Sequence, residues 1–145
     1  MRRALSALAA ALLAALACGC SPDFHALTTP PPFATAELCD RGEGCGGDRH
    51  VTLTKGVALA FECTSSHDDP CTGVTATVGD DTVAQVFAGY LDTLSPGTND
   101  GEAGTLGSQP RSALVVVGKR VGHTTLSIST DGAGDADFDV DVVAF

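Results

Sequence analysis

The chain has 145 residues and carries eight Lys and Arg against eighteen Asp and Glu, a formal net charge of −10. That balance argues against nucleic acid as a partner, because phosphate binding needs clustered basic side chains, and against docking on anionic lipid through charge. With one Tyr and no Trp, there is also little from which to build the aromatic platforms of a sugar-binding module.

Met1-Arg2-Arg3 leads into a run of Ala and Leu from Ala4 to Ala17. A basic start, a short apolar stretch and small residues at its end describe a secretory signal. As a helix the run reaches only about 21 Å, short of a ~30 Å hydrocarbon core. It ends Leu16-Ala17-Cys18-Gly19-Cys20-Ser21, which resembles the lipobox of bacterial lipoproteins, where the first mature residue is a lipid-bearing Cys. The resemblance implies a signal peptide over 1–19 and lipidation at Cys20, with Cys18 the alternative; Cys20 has Gly19 before it and Ser21 after it. Several acyl chains anchor a protein stably, whereas one holds it only reversibly. Losing Arg2 and Arg3 leaves six basic residues against eighteen acids, a balance of −12.

Residues 20–36 include Thr28-Thr29-Pro30-Pro31-Pro32. Proline favours an extended backbone, and the segment reads as a lipid-anchored tether. A strand running along the domain, packed through Phe24 and Phe33, is the other reading. Residues 37–49 form a Cys/Gly-rich loop. Cys39, Cys45, Cys63 and Cys71 remain after the signal. An even count in an oxidising compartment reads as two disulfides. Three pairings are possible, and proximity favours Cys39–Cys45 and Cys63–Cys71.

From His50 onward, short β-like runs alternate with turns. Val51–Thr54 is the first. In the second, Val57, Leu59, Phe61 and Cys63 share one face at period two. Val74–Val78 alternates with Thr, and Thr82–Leu91 is β-branched and aromatic, with a bend or bulge expected at Gly89. Ser95–Ser112 reads as a long loop, a feature that tends to be functional or disordered. Ala113–Val117 is an unbroken apolar strand, and Thr124–Thr130 alternates. The last run places Ala136, Phe138, Val140 and Val142 on one face and Asp135, Asp137, Asp139 and Asp141 on the other. The expectation is an all-β β-sandwich of about seven strands over residues 50–145.

Three stretches resemble a bacterial immunoglobulin-like domain of the group 2 kind. They are Val51-Thr-Leu-Thr-Lys-Gly56-Val-Ala-Leu, Asp80-Asp81-Thr82-Val83-Ala84-Gln85-Val86, and Gly118-Lys119-Arg120-Val121-Gly122 with the strand that follows. The resemblance implies an immunoglobulin-like sandwich with no catalytic residues. The chain departs from the pattern in having Val74 and Val78 where the third strand usually carries an aromatic. The glycine-rich loop before Ala113 is an insertion, and neither Cys pair matches the antibody cross-sheet bridge.

Two metal readings compete with bland ones. Cys63, His67 and Cys71 have zinc-like spacing, yet a disulfide between a strand end and the start of the next strand explains both sulfurs. The Asp row, with Asp131, offers oxygen ligands for calcium. However, carboxylates at i, i+2 lie about 6.6–6.8 Å apart and spread over roughly 20 Å. A solvated face guarding an edge strand is the simpler reading. Of His25, His50, His67 and His123, none sits in a nucleophile-elbow or phosphate-loop motif. The reading is a cell-envelope lipoprotein with a non-catalytic immunoglobulin-like binding or structural module. It would be held by its N-terminal lipid at the outer membrane or periplasmic face, with envelope or surface proteins as partners and no cofactor. The alternative is a small envelope protein that binds calcium or zinc. Recognition is expected from the loops Ser95–Ser112 and Cys63–Cys71, since loops on a rigid scaffold carry it.

Overall fold

The computed structural model describes residues 21–42, 45–65, 69–91 and 111–145. Its strands are β1 (Asp23–Ala26), β2 (Ala36–Cys39), β3 (His50–Thr54), β4 (Ala58–Thr64), β5 (Thr72–Val78), β6 (Ala84–Leu91), β7 (Arg111–Gly118), β8 (Gly122–Asp131) and β9 (Gly134–Val143). One sheet has the order β1-β4-β7-β6 and the other β2-β3-β9-β8-β5. Among the described residues, β3 and β9 pair in parallel and the other strand pairs are antiparallel. The two sheets bury their inner faces against one another as a β-sandwich.

The seven expected strands are β3 to β9, each within a few residues of its expected span. Among them, the second, fifth and fourth share one sheet and the third, sixth and seventh the other, as in an immunoglobulin-like sandwich. The first of the seven, β3, pairs in parallel with the last, β9.

The additional strands come from the segment expected as a tether and from the loop after it. β1 pairs with β4, Phe24 lying opposite Cys63, and completes the four-stranded sheet. β2 pairs with β3, Ala36 lying opposite Leu53. The sandwich therefore begins near Pro22 rather than at residue 50. Phe24 is buried at 4 % exposure, whereas Phe33 is 94 % exposed. Phe33 sits at the tip of a Pro31–Ala34 turn closed by Ala34 N–H donating to Pro31 O, with φ +67, the left-handed geometry of a type II turn.

Alternation explains the core. Leu59, Phe61 and Cys63 of β4, Leu114 and Val116 of β7, Leu126 and Ile128 of β8, and Phe138, Val140 and Val142 of β9 are all buried. Each large apolar side chain so placed contributes about 1.5–3 kcal/mol relative to exposure. Phe24, Phe61 and Phe138 form an aromatic group, with ring centroids 5.1 Å apart for Phe24 and Phe138 and 6.0 Å for Phe24 and Phe61. This cluster draws on β1, β4 and β9, not on the third of the seven strands.

Two local expectations are corrected. Gly89 makes no bulge: β6 pairs with β7 in unbroken register from Ala84–Gly118 to Leu91–Arg111, because a glycine opposite Ala113 leaves the ladder intact. The irregularity lies in β5, between Thr72 and Thr75. There Gly73 has φ +58, and a Cβ would fall 2.1 Å from an Asp131 carboxylate oxygen. The Asp row also does not guard an edge: β9 is the middle strand of its sheet.

Candidate functional site

The chain enters the sandwich through a buried ion pair. Arg49, on the loop before β3, donates Nε–H to Asp40 Oδ1 at 2.6 Å; the side chains are 4 % and 9 % exposed. Asp40 Oδ2 accepts the Phe24 backbone N–H at 2.7 Å. The Arg49 Nη2 nitrogen donates to the Pro22 carbonyl and the Ser21 hydroxyl, and Arg41 donates to that hydroxyl as well. The guanidinium carbon lies 5.2 Å from the Phe24 ring centre and 5.6 Å from that of Phe138, within cation–π range. One arginine thus fixes Ser21, fully buried Pro22 and Phe24 to the pole of the sandwich that carries both disulfides.

The outer face of the five-stranded sheet is polar throughout its centre. Asp135, Asp137, Asp139 and Asp141 are exposed while Ala136, Phe138, Val140 and Val142 between them are buried. On β8, Ser129, Ser127, Thr125 and His123 stand opposite these four Asp in turn. On β3, His50 and Thr52 stand opposite Asp139 and Asp141. Each carboxylate therefore faces a hydroxyl or an imidazole, not another carboxylate. Ser129 donates to Asp135 at 2.7 Å. His123 Nδ1 is 3.0 Å from Asp141 and its Nε2 is 3.7 Å from Asp139, with all three side chains more than half exposed. A shallow depression of about 220 Å³ runs between Thr75, Thr77, Ser127, Ser129, Asp135 and Asp137. Another, of about 300 Å³, lies between the β2–β3 loop and Asp135 and Asp137.

This surface offers acceptors and hydroxyls to a partner but does not enclose one. Among the described residues, no group of three or more His, Cys, Asp or Glu is arranged to hold a metal ion. Cys39 is bonded to Cys45 and Cys63 to Cys71, so the Cys63 and Cys71 sulfurs are not zinc ligands. Cys20, Cys18, His67 and residues 95–110 of the expected binding loop Ser95–Ser112 lie outside the described residues, and the last two residues of that loop belong to β7. Among the described histidines, His25 is on the other sheet from His50 and His123, so these three do not form one group.

At the opposite pole, the β5–β6 turn is tied to the β7–β8 turn. Asp80 accepts from the hydroxyl and backbone N–H of Thr82, at 2.6 and 2.9 Å. Arg120 lies 3.6 Å away. The Thr82 hydroxyl first, then its backbone N–H and the Arg120 charge, hold the Asp80 carboxyl below the usual carboxylate range.

No protein-family model matches this chain, and no curated protein matches it in sequence. Solved structures of an S-layer protein, SbsC, are similar to it at low identity. Its domains 4 and 5 match at 20 % identity and TM-score 0.42, over 86 % of this chain and 54 % of that one. A structure of its domains 4–9 matches at 16 % identity and TM-score 0.44, over 83 % of this chain and 15 % of that one. The chain spans about half the length of the first of these and a smaller part of the other.

Proposed function

We propose that this chain is an exported cell-envelope lipoprotein whose immunoglobulin-like sandwich is a non-catalytic binding or structural module, anchored through lipid on Cys20. The observation that carries the reading is the docking of Ser21 and Pro22. The residue after the lipobox-like cysteine is hydrogen-bonded to Arg41 and Arg49, and the next is buried. A lipid on Cys20 would hold the sandwich at the bilayer directly, with no tether between. Two disulfides suit the oxidising compartment that export reaches. The open sheet faces suit protein contact better than chemistry, which needs a site that excludes water.

Metabolic labelling with a radioactive fatty acid tests this in a bacterial host that exports the chain. Label is expected in the wild-type protein and in Cys18→Ser, and is expected to be absent from Cys20→Ser. Label retained in Cys20→Ser and lost in Cys18→Ser would move the anchor to Cys18. An unlabelled, soluble wild-type protein would remove the anchor from the reading.

A further inference from the structure

The outer face of the four-stranded sheet has the opposite chemistry. Leu59, Phe61, Leu114, Val116 and Ala84 point into the core, so the alternate positions face outward. Sheet register sets these in three rows across β4, β7 and β6: Ala58–Val117–Gln85, Ala60–Val115–Phe87 and Glu62–Ala113–Gly89. The middle row is wholly apolar, and Phe87 is 50 % exposed.

Size is distributed unevenly along each row. Gln85 stands in line with Ala58, and Phe87 with Ala60, a small residue bordered on its far side by half-exposed Leu27, whose N–H donates to Ala60 O. The third row is covered at its middle, where Ala113 is buried. Consider two such sheets stacked face to face about a two-fold axis parallel to β7. The rotation keeps each row at its own height and exchanges β4 with β6. Phe87 of one copy then covers Ala60 of the second, and Gln85 covers Ala58. Val115 and Val117 meet their own counterparts on the axis. A closed two-fold contact requires this self-complementarity, and packed sheets lie about 10 Å apart.

We propose that this face is a homodimer interface, in which a second copy of the chain docks through Ala60, Phe87, Val115 and Val117. Charge agrees with it. The β9 carboxylates stand on the far sheet of each copy, so pairing sets the two acidic faces about 30 Å apart. That is more than three Debye lengths at ~8 Å under physiological salt. The contact is small, under about 1,200 Å² in total, which belongs to the weak and reversible class.

Sedimentation equilibrium of the exported full chain, in density-matched detergent, tests the proposal from micromolar to millimolar concentration. The wild-type chain is expected to dimerise within that range. Phe87→Lys and Ala60→Glu should each weaken the dimer by about tenfold or more. Phe87 is exposed and Ala60 is partly exposed, and unchanged melting temperatures will verify that the variants fold. The Phe87→Lys/Ala60→Glu double variant should recover most of the loss, because each lysine then stands over the glutamate of the second copy. As a second readout, a short bismaleimide should link Val115→Cys to itself and should not link Asp137→Cys. A wild-type monomer throughout, a double variant no better than the singles, or equal cross-linking at both positions would overturn the proposal.

Discussion

Strands β7 and β9 are built alike and end differently. Each has a hydrogen-bonded neighbour on both sides, and each sends its even-numbered residues into the core: Leu114 and Val116 from β7, Phe138, Val140 and Val142 from β9. Outward, β9 presents four Asp while β7 presents Val115 and Val117, with Ala113 on the same side already buried. A sheet in a sandwich needs only one buried face, so folding leaves the second face open to other demands. On β9 that face can remain in water, because hydroxyls and imidazoles opposite each Asp separate the charges. On β7 it reads like a surface prepared for a second burial, since continuous apolar runs belong to strands covered on both sides.

The contrast is tested most severely inside β9 itself. Phe138→Ala should cost about 3–5 kcal/mol in denaturant unfolding, while Asp137→Ala and Asp139→Ala should each stay within about 0.5 kcal/mol. Comparable losses at all three positions would break the inside–outside reading. Arg49→Ala should also cost about 3–5 kcal/mol, because it strands the buried Asp40 carboxylate. Asp40→Asn combined with Arg49→Ala should cost less than the sum of the single changes.

A smaller effect is expected from removing the Cys63–Cys71 bridge, which joins the end of β4 to the start of β5 and so ties the two sheets. The Cys63→Ser/Cys71→Ser variant should lose roughly 2–3 kcal/mol, read from the denaturation midpoint. Asp137→Asn with Asp139→Asn should raise stability by a few tenths of a kcal/mol at low salt, and the gain should vanish at high salt. A gain that persisted in high salt would mean that these charges are not simply solvated.

The smallest effect is that of Asp80. Its carboxyl is held low in the folded chain by Thr82, so its contribution to stability is present above the unfolded value of about 4 and is lost as pH falls through the lower folded value. Thermal melts of Asp80→Asn should therefore converge on wild type in acid and fall slightly below it at neutral pH.

Much of this was legible in the residues because period-two alternation over seven or more positions leaves little room for another fold. β4, β8 and β9 announce both their faces. β1 does not, since four residues with one inward side chain, Phe24, carry no period, and the prolines after it read as a tether. Asp40 and Arg49 are two charges in a glycine-rich loop, and only the fold shows that they meet under Phe24. Likewise, Ala60 and Phe87 are 27 positions apart and join one row only once the register of three strands is known. Gly89 illustrates the reverse: an isolated glycine in a strand signals a bulge only when the ladder around it breaks, and here the break is at Gly73.

The proposed lipid-anchored module is tested most directly by the intact mass of the protein extracted from membranes, before and after reduction and alkylation. The expected result is a chain beginning at Cys20, heavier by several acyl groups, with four thiols that react only after reduction. A chain that carries no acyl group, or four thiols that react without reduction, would contradict it.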